Sequence, residues 1–145
     1  MKKFIQFILL VCCCIVFTGC GGNSNSYDGA YRITVSESII NDGLAAAIRT
    51  SSSDSVARDI TLKFNDIEFP GHSFDSKGNY IFTKVMFEQD AYEMTSRNPS
   101  VIKLYNGSDT EPLATIEFER LVSLPQNIDI SMNKNGDIEI AFLFW

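Results

Sequence analysis

The sequence predicts a mainly β fold, an antiparallel β-barrel or sandwich of about seven or eight strands with one short helix. Apolar and polar residues alternate along several short runs, which is the pattern of strands that have one buried face. Turn-forming pairs such as Asn106-Gly107 and Asn135-Gly136 separate these runs, as expected for hairpins. One stretch, Ser38–Arg49, places its apolar residues at helical spacing and is predicted as the short helix.

The predicted strands follow one another from Tyr31 to the last residue. They are Tyr31–Val35, Leu62–Phe69, Tyr80–Phe87, Val101–Tyr105, Thr115–Leu121, Ile128–Met132 and Ile138–Trp145. Within the second run the alternation shifts by one residue near Asn65-Asp66, which predicts a bulge or a bend. The last run is continuous and aromatic, which favours a buried closing strand over an exposed edge that a partner covers.

The N-terminus has the parts of a secretory signal peptide. Lys2 and Lys3 precede an apolar run from Phe4 to Phe17, and small residues follow it. The run contains 14 residues, whereas a membrane-spanning helix needs about 20. A signal peptide over residues 1–19 is therefore favoured over a permanent transmembrane segment.

Thr18-Gly19-Cys20 resembles the lipobox of bacterial lipoproteins, which has an aliphatic residue, a small residue, Gly or Ala, and then Cys. Phe17 departs from this pattern, because the family usually has Leu there. The resemblance implies that the Cys20 thiol carries a diacylglycerol, that the chain is cleaved between Gly19 and Cys20, and that the new amine is acylated, for example with palmitate. Two or more acyl chains give stable anchoring. The alternative is an ordinary cysteine after an ordinary signal peptide.

The resemblance also implies a location in the cell. Gly21 follows the cysteine, whereas an Asp there commonly marks retention in the inner membrane of Gram-negative bacteria. The expected location is therefore the bacterial cell envelope, with the outer membrane favoured and either its periplasmic or its surface face open. Residues 20–26 are interpreted as the lipidated cysteine and a flexible tether, and residues 27–145 as a single globular β-domain.

The net charge and the positions of the cysteines exclude some classes of function. Without Lys2 and Lys3, ten basic residues stand against eighteen acidic ones, a net charge of −8. This charge argues against nucleic-acid partners and against electrostatic docking on anionic lipid. Cys12, Cys13 and Cys14 lie within the apolar run and are expected to leave with the signal peptide.

No catalytic or metal-binding set is recognisable in the sequence, so we predict a protein that is not an enzyme and has no cofactor or metal site. His72, the single histidine, follows Pro-Gly and is predicted to be an exposed turn residue. Glu117 and Glu119 share one strand face and Asp129 is near in the predicted pairing, but their alternation with apolar residues places these carboxylates on the solvent side.

Three segments look like parts of lipocalin-like and calycin-like lipoproteins. Tyr27–Tyr31 resembles their first strand, which has a Gly two residues before an aromatic residue, and Leu62–Gly71 and Gly78–Phe82 resemble the hairpins that follow. The resemblance implies an up-and-down barrel, in some members with an apolar interior cavity.

Two functions stay open. The first is a non-enzymatic envelope domain that binds a protein or glycan partner, with exposed segments such as Tyr92–Ser100 predicted as contact loops. The second is a calycin-like carrier of a small apolar ligand or lipid, whose aromatic side chains line an interior cavity. Small barrels can be filled or hollow, and the many large aromatic residues favour a filled interior.

Overall fold

The computed structural model describes residues 31–50, 59–70 and 72–144. These residues form nine strands and two helices, which confirms the prediction of a mainly β fold. The strands are β1 Tyr31–Val35, β2 Ile60–Phe64, β3 Ile67–Phe69, β4 Ser73–Phe74, β5 Tyr80–Lys84, β6 Ser100–Asn106, β7 Ala114–Phe118, β8 Asn127–Met132 and β9 Ile138–Leu143, and the helices are α1 Glu37–Thr50 and α2 Glu88–Ser96. Gly19 and Cys20, with the predicted signal peptide and tether, lie outside the described residues.

The strands form two sheets. The first sheet has the order β4-β5-β1-β8-β9 and the second the order β3-β2-β6-β7. All paired neighbours are antiparallel except β1 and β8, which run parallel with Ile33 beside Ile128. In the described part of the chain the sheets do not close into one barrel, and the parallel pair departs from the meander of hairpins that the calycin resemblance implies.

Side chains from both sheets and both helices form one buried core. Eleven of them have no solvent-accessible surface: Ile33, Val35, Ile40, Leu62, Phe64, Phe69, Phe82, Met94, Ile102, Leu104 and Ile128. A side chain without accessible surface borders no space large enough for a water molecule. These positions are therefore packed interior, contributed by alternate residues of each strand as the sequence pattern predicts.

Helix α1 confirms the prediction of a helix over Ser38–Arg49. It follows β1 directly, where the Ser36 amide donates to the Ile130 carbonyl at 2.8 Å. Its buried side chains include Ile39 and Ile40. Gly43 lies so close to Leu113 that a Cβ atom there would stand 2.7 Å from the Leu113 carbonyl oxygen. The absence of a Cβ atom at Gly43 is thus what permits the close approach.

The bulge or bend predicted at Asn65-Asp66 is a two-residue hairpin turn. Asn65 and Asp66 have φ angles of +47° and +72°, and the flanking strands pair with Phe64 opposite Ile67. Asn and Asp tolerate this left-handed conformation better than other residues with side chains. The shift in alternation arises because a two-residue hairpin turn returns the apolar face to the core.

The exposed loop predicted over Tyr92–Ser100 is confined to residues 97–99, and the rest of the prediction is wrong. Helix α2 occupies Glu88–Ser96, and Ser100 is the buried first residue of β6. The strand predicted to continue to Phe87 ends at Lys84. Alternation fails to detect α2 because it is short and Met94 is its one fully buried residue.

The prediction of a buried final strand is also wrong. β9 is an edge strand of the first sheet, paired only with β8 in the described part of the chain. Leu143 and the following Phe144 are more than half exposed. Phe142 is partly buried because its ring meets Phe118 of the second sheet, with centroids 5.5 Å apart.

Strand registers define two ends of the first sheet. Tyr31, the start of β1, pairs with Lys84 at the end of β5, and Arg32 pairs with Asn127 at the start of β8. Asn127 in turn pairs with Leu143 at the end of β9. We call this the basal end. The opposite or apical end holds Val35, the start of β5, the end of β8 and helix α1.

The second sheet shares this polarity. Its strand β7 ends at Phe118, and residues 119–126 lead from there to the start of β8 at the basal end. Ser100 pairs with Phe118, and Phe64 pairs with Ile102. The Asn65-Asp66 turn and helix α2, which leads from β5 to β6, therefore belong to the basal end.

Candidate binding surface at the basal end

The large apolar side chains exposed in the described residues lie mainly at the basal end. The basal set is Val85, Phe87, Tyr92, Val122, Leu143 and Phe144, with exposed fractions from 53% to 89%. Phe74 and Ile138 are exposed at the apical end. Single exposed apolar residues are ordinary, but their concentration at one end of a domain marks a candidate interaction surface.

A groove of about 500 Å³ lies within this surface, between β3 and the end of β5. Its walls are formed by Glu68, Pro70, Thr83, Lys84, Val85 and Phe87. In the described chain, β1 pairs with one edge of β5 along its full length, but on the other edge β4 pairs only with Tyr80 and Ile81, so no strand covers that edge in the basal half of β5. Because β4 is short, a gap remains between β3 of the second sheet and the end of β5 in the first sheet, and the groove lies in this gap.

Lys84 is held at the groove by an acid and by a ring. Its Nζ lies 3.1 Å from the Asp90 carboxylate and 5.6 Å from the centroid of the Phe87 ring. The same carboxylate accepts a hydrogen bond of 3.0 Å from the Phe87 amide and so begins helix α2. The Phe87 backbone is therefore fixed by the helix start while its ring is about two-thirds exposed.

Asn65 joins the basal turn to the other end of α2. Its side-chain amide donates to the carbonyls of Glu93 at 3.2 Å and Met94 at 3.3 Å, and its Oδ1 accepts from the Val101 amide at 2.9 Å. Asn65 is buried, so these bonds satisfy backbone groups that have little access to water. One side chain thus links the β2–β3 hairpin, α2 and β6.

Arg97 adds an exposed ion pair to this link. Its guanidinium donates a hydrogen bond to the Asp66 carboxylate and lies 3.9 Å from Glu93. The hydrogen bond from Arg97 lowers the pKa of Asp66 below its ordinary value, against a smaller opposing effect of burial. Lys84 and Arg97 are therefore each paired with an acid.

His72 is half-buried and not the exposed turn residue that the sequence predicted. The centroid of its ring lies 5.0 Å from the ring centroid of Tyr80 and 6.0 Å from those of Phe74 and Phe82. Nδ1 is 3.2 Å from the Ile60 carbonyl oxygen. A carbonyl only accepts, so Nδ1 carries the proton, and this contact ties the chain before β4 to β2.

The predicted solvent-side carboxylates do not converge. Glu117 points outward from the second sheet and Asp129 outward from the first, where it accepts from the Asn127 side chain at 2.8 Å. Two packed sheets, about 10 Å apart, separate these outer faces. Glu119 follows the end of β7 and is exposed.

The described residues contain no cluster of three or more His, Cys, Asp or Glu side chains placed to hold a metal ion. Neither described helix has the length and apolar character required to cross a bilayer.

Sequence reasoning missed Val85 and Phe87 as surface residues because they end a strongly β-prone run. A local signal was present. Asp90 stands three residues after Phe87, and Glu88 lies between them, so acids fill the first turn of a helix whose preceding amide needs an acceptor.

No protein-family model, no curated protein and no solved structure matches this chain.

Proposed function

We propose that this chain is a lipoprotein of the bacterial cell envelope, anchored through acyl chains on Cys20, whose non-enzymatic β-domain binds a protein or glycan partner. The observation that carries the proposal is the apolar run Phe4–Phe17 followed by Thr18-Gly19-Cys20. Cleavage between Gly19 and Cys20 leaves the domain tethered by residues 20–26. The outer membrane is the favoured location.

Binding at the outer surface is supported by the packed interior. Phe64, Phe82 and Leu104 come from both sheets and have no accessible surface. A ligand inside would have to displace such side chains, and vacating one large core position costs about 2 to 5 kcal/mol. We therefore assign a packed two-sheet sandwich in which recognition occurs outside the core.

The apical turns are suited to hold a partner. The Asp75 carboxylate accepts from the amides of Lys77 and Asn79, both at 2.8 Å. The Asn133 side chain accepts from the amides of Asn135 at 2.8 Å and Asp137 at 3.0 Å. Turns that are already ordered lose less conformational entropy on binding.

The alternative function is a carrier of a small apolar ligand or lipid, and the basal groove supports it. Its volume of about 500 Å³ lies within the usual range for ligand pockets, and Pro70, Val85 and Phe87 give it apolar walls. In this alternative the ligand sits between the sheet edges and not within a barrel.

Acyl labelling in cells tests the anchor. We expect the chain to incorporate labelled fatty acid and Cys20→Ser to lose the label. Equal incorporation in both chains would contradict the lipoprotein proposal.

Native mass spectrometry of the full chain after exposure to an envelope extract separates the two functions. Surface recognition predicts an added mass of macromolecular size that persists in Phe87→Ser and is lost when Lys77 and Lys134, in the apical turns, are replaced by Glu. The carrier function predicts an added mass of lipid size that is lost in Phe87→Ser and persists when Lys77 and Lys134 are replaced by Glu. A bare mass in every sample would contradict both functions.

A further inference from the structure

The chain enters the described domain at its basal end. Tyr31 begins β1 beside Lys84, and Cys20 precedes Tyr31 by eleven residues. Eleven extended residues span at most about 40 Å. An anchor on Cys20 therefore keeps the basal end, where the chain enters the domain, within about 40 Å of the membrane and allows it to reach the bilayer surface.

The basal apolar side chains are spread across the width of the first sheet. Val85 and Phe87 follow β5, whereas Leu143 and Phe144 end β9 and the segment after it. β1 and β8 lie between these strands, so the two groups stand about 14 Å apart at the usual strand spacing. This is a broad surface with several separate apolar contacts, and the groove occupies one side of it.

The charges at this end favour a lipid without net charge. Lys84 is paired with Asp90 and Arg97 with Asp66, so these two cations are already neutralised by acids. The other exposed charges of this end include both signs, so neither predominates: Arg32, Arg120, Glu88 and Glu119. Anionic headgroups would be repelled by the net acidic chain, whereas apolar side chains inserted at the headgroup boundary need no charge attraction.

We propose that the basal end docks on a zwitterionic lipid surface, with Val85, Phe87, Leu143 and Phe144 inserted at the headgroup boundary. The proposal rests on the proposed Cys20 anchor, which allows this end of the domain to reach the membrane. Docking orients the apical turns away from the bilayer, towards the partner.

Trp145, the single tryptophan of the sequence, follows Phe144 and supplies the probe. The acylated full chain is reconstituted in phosphatidylcholine vesicles in which part of the lipid carries bromine near the headgroup end of its acyl chains. Docking predicts that brominated lipid reduces Trp145 emission about two-fold relative to unbrominated vesicles, because the residue next to an inserted Phe144 reaches the quencher.

A basal variant with Val85, Phe87 and Phe144 replaced by Ser is expected to lose this quenching while staying anchored. The matched apical variant, with Phe74 and Ile138 replaced by Ser, is expected to keep it. All substituted residues are exposed, and unchanged denaturation midpoints confirm that both variants fold.

Quenching that is absent, that persists in the basal variant or that disappears in the apical variant overturns the docking proposal. A dimer mass without vesicles that is lost in the basal variant assigns this end to a second copy and overturns it as well. If the wild type takes up no acyl label, the anchor proposal fails separately. The unacylated chain is then titrated with the same vesicles, and a lack of quenching overturns docking on its own.

Discussion

The strands end differently at the two ends of the domain. At the apical end, Asp75 and Asn133 close the turns by accepting hydrogen bonds from backbone amides, so the polar groups are satisfied in water. At the basal end, the chain after β5 and after β9 exposes Val85, Phe87 and Phe144. The difference is that the apical turns are closed by hydrogen bonds within the chain, whereas more of the large exposed apolar side chains lie at the basal end.

The two helices differ in the same way. Helix α1, at the apical end, is attached by packing, with Ile39 and Ile40 buried and Gly43 against Leu113. Helix α2, at the basal end, has Met94 as its one fully buried residue and is attached through polar contacts, the hydrogen bonds from Asn65 and the Lys84–Asp90 ion pair. Substitutions at these contacts test separately how much packing and hydrogen bonding contribute to the free energy of unfolding.

Asn65→Ala is expected to have the largest effect. It removes two donors and one acceptor from buried backbone partners, and it places alanine at a φ angle of +47°. We expect a loss of about 2 to 4 kcal/mol in the free energy of unfolding, measured by chemical denaturation. Asn133→Ala in an exposed apical turn is the control and should cost about 1 kcal/mol or less. Equal losses in both variants would show that Asn65 does not hold α2.

Gly43→Ala tests the packing of α1. In an isolated helix this change stabilises by about 1 kcal/mol. Here the new Cβ would meet the Leu113 carbonyl oxygen at 2.7 Å and its Cβ at 2.9 Å, so we expect a net loss of about 1 to 3 kcal/mol. Ala45→Gly, at an exposed position of the same helix, should cost about 1 kcal/mol and serves as the control. A rise in stability for Gly43→Ala would contradict the close contact.

The smallest effect is expected at the Asp66–Arg97 ion pair. Because the folded pKa of Asp66 is lowered, its contribution to stability is present above the unfolded pKa and is lost as pH falls through the folded pKa. The pair is largely exposed, so solvent screening limits the contribution to below about 1 kcal/mol. Denaturation midpoints of the wild type and Asp66→Asn should differ slightly near neutral pH and converge in strong acid. A difference that persists in acid would rule out an ionic cause.

Sequence patterns predicted those elements whose burial repeats along the chain. β1 and β2 alternate regularly because each has one face in the core, and α1 repeats its apolar residues over fourteen residues. Helix α2 was not predicted because it is only nine residues long and is held by Asn65, which is distant from it in sequence. β9 was misjudged because an apolar edge strand and a buried strand have similar compositions.

Local sequence patterns were enough to predict the alternating strands, helix α1 and the turn pairs, and the N-terminal apolar run with Cys20 after it leads to the lipoprotein prediction. Each of these depends on chemistry within a few neighbouring residues. The three-dimensional structure was needed to show that β1 lies parallel to β8, that Asn65 reaches α2 and that Val85, Phe87 and Phe144 share one end. These facts depend on pairings between distant segments, and composition and periodicity carry no information on which strand edges meet.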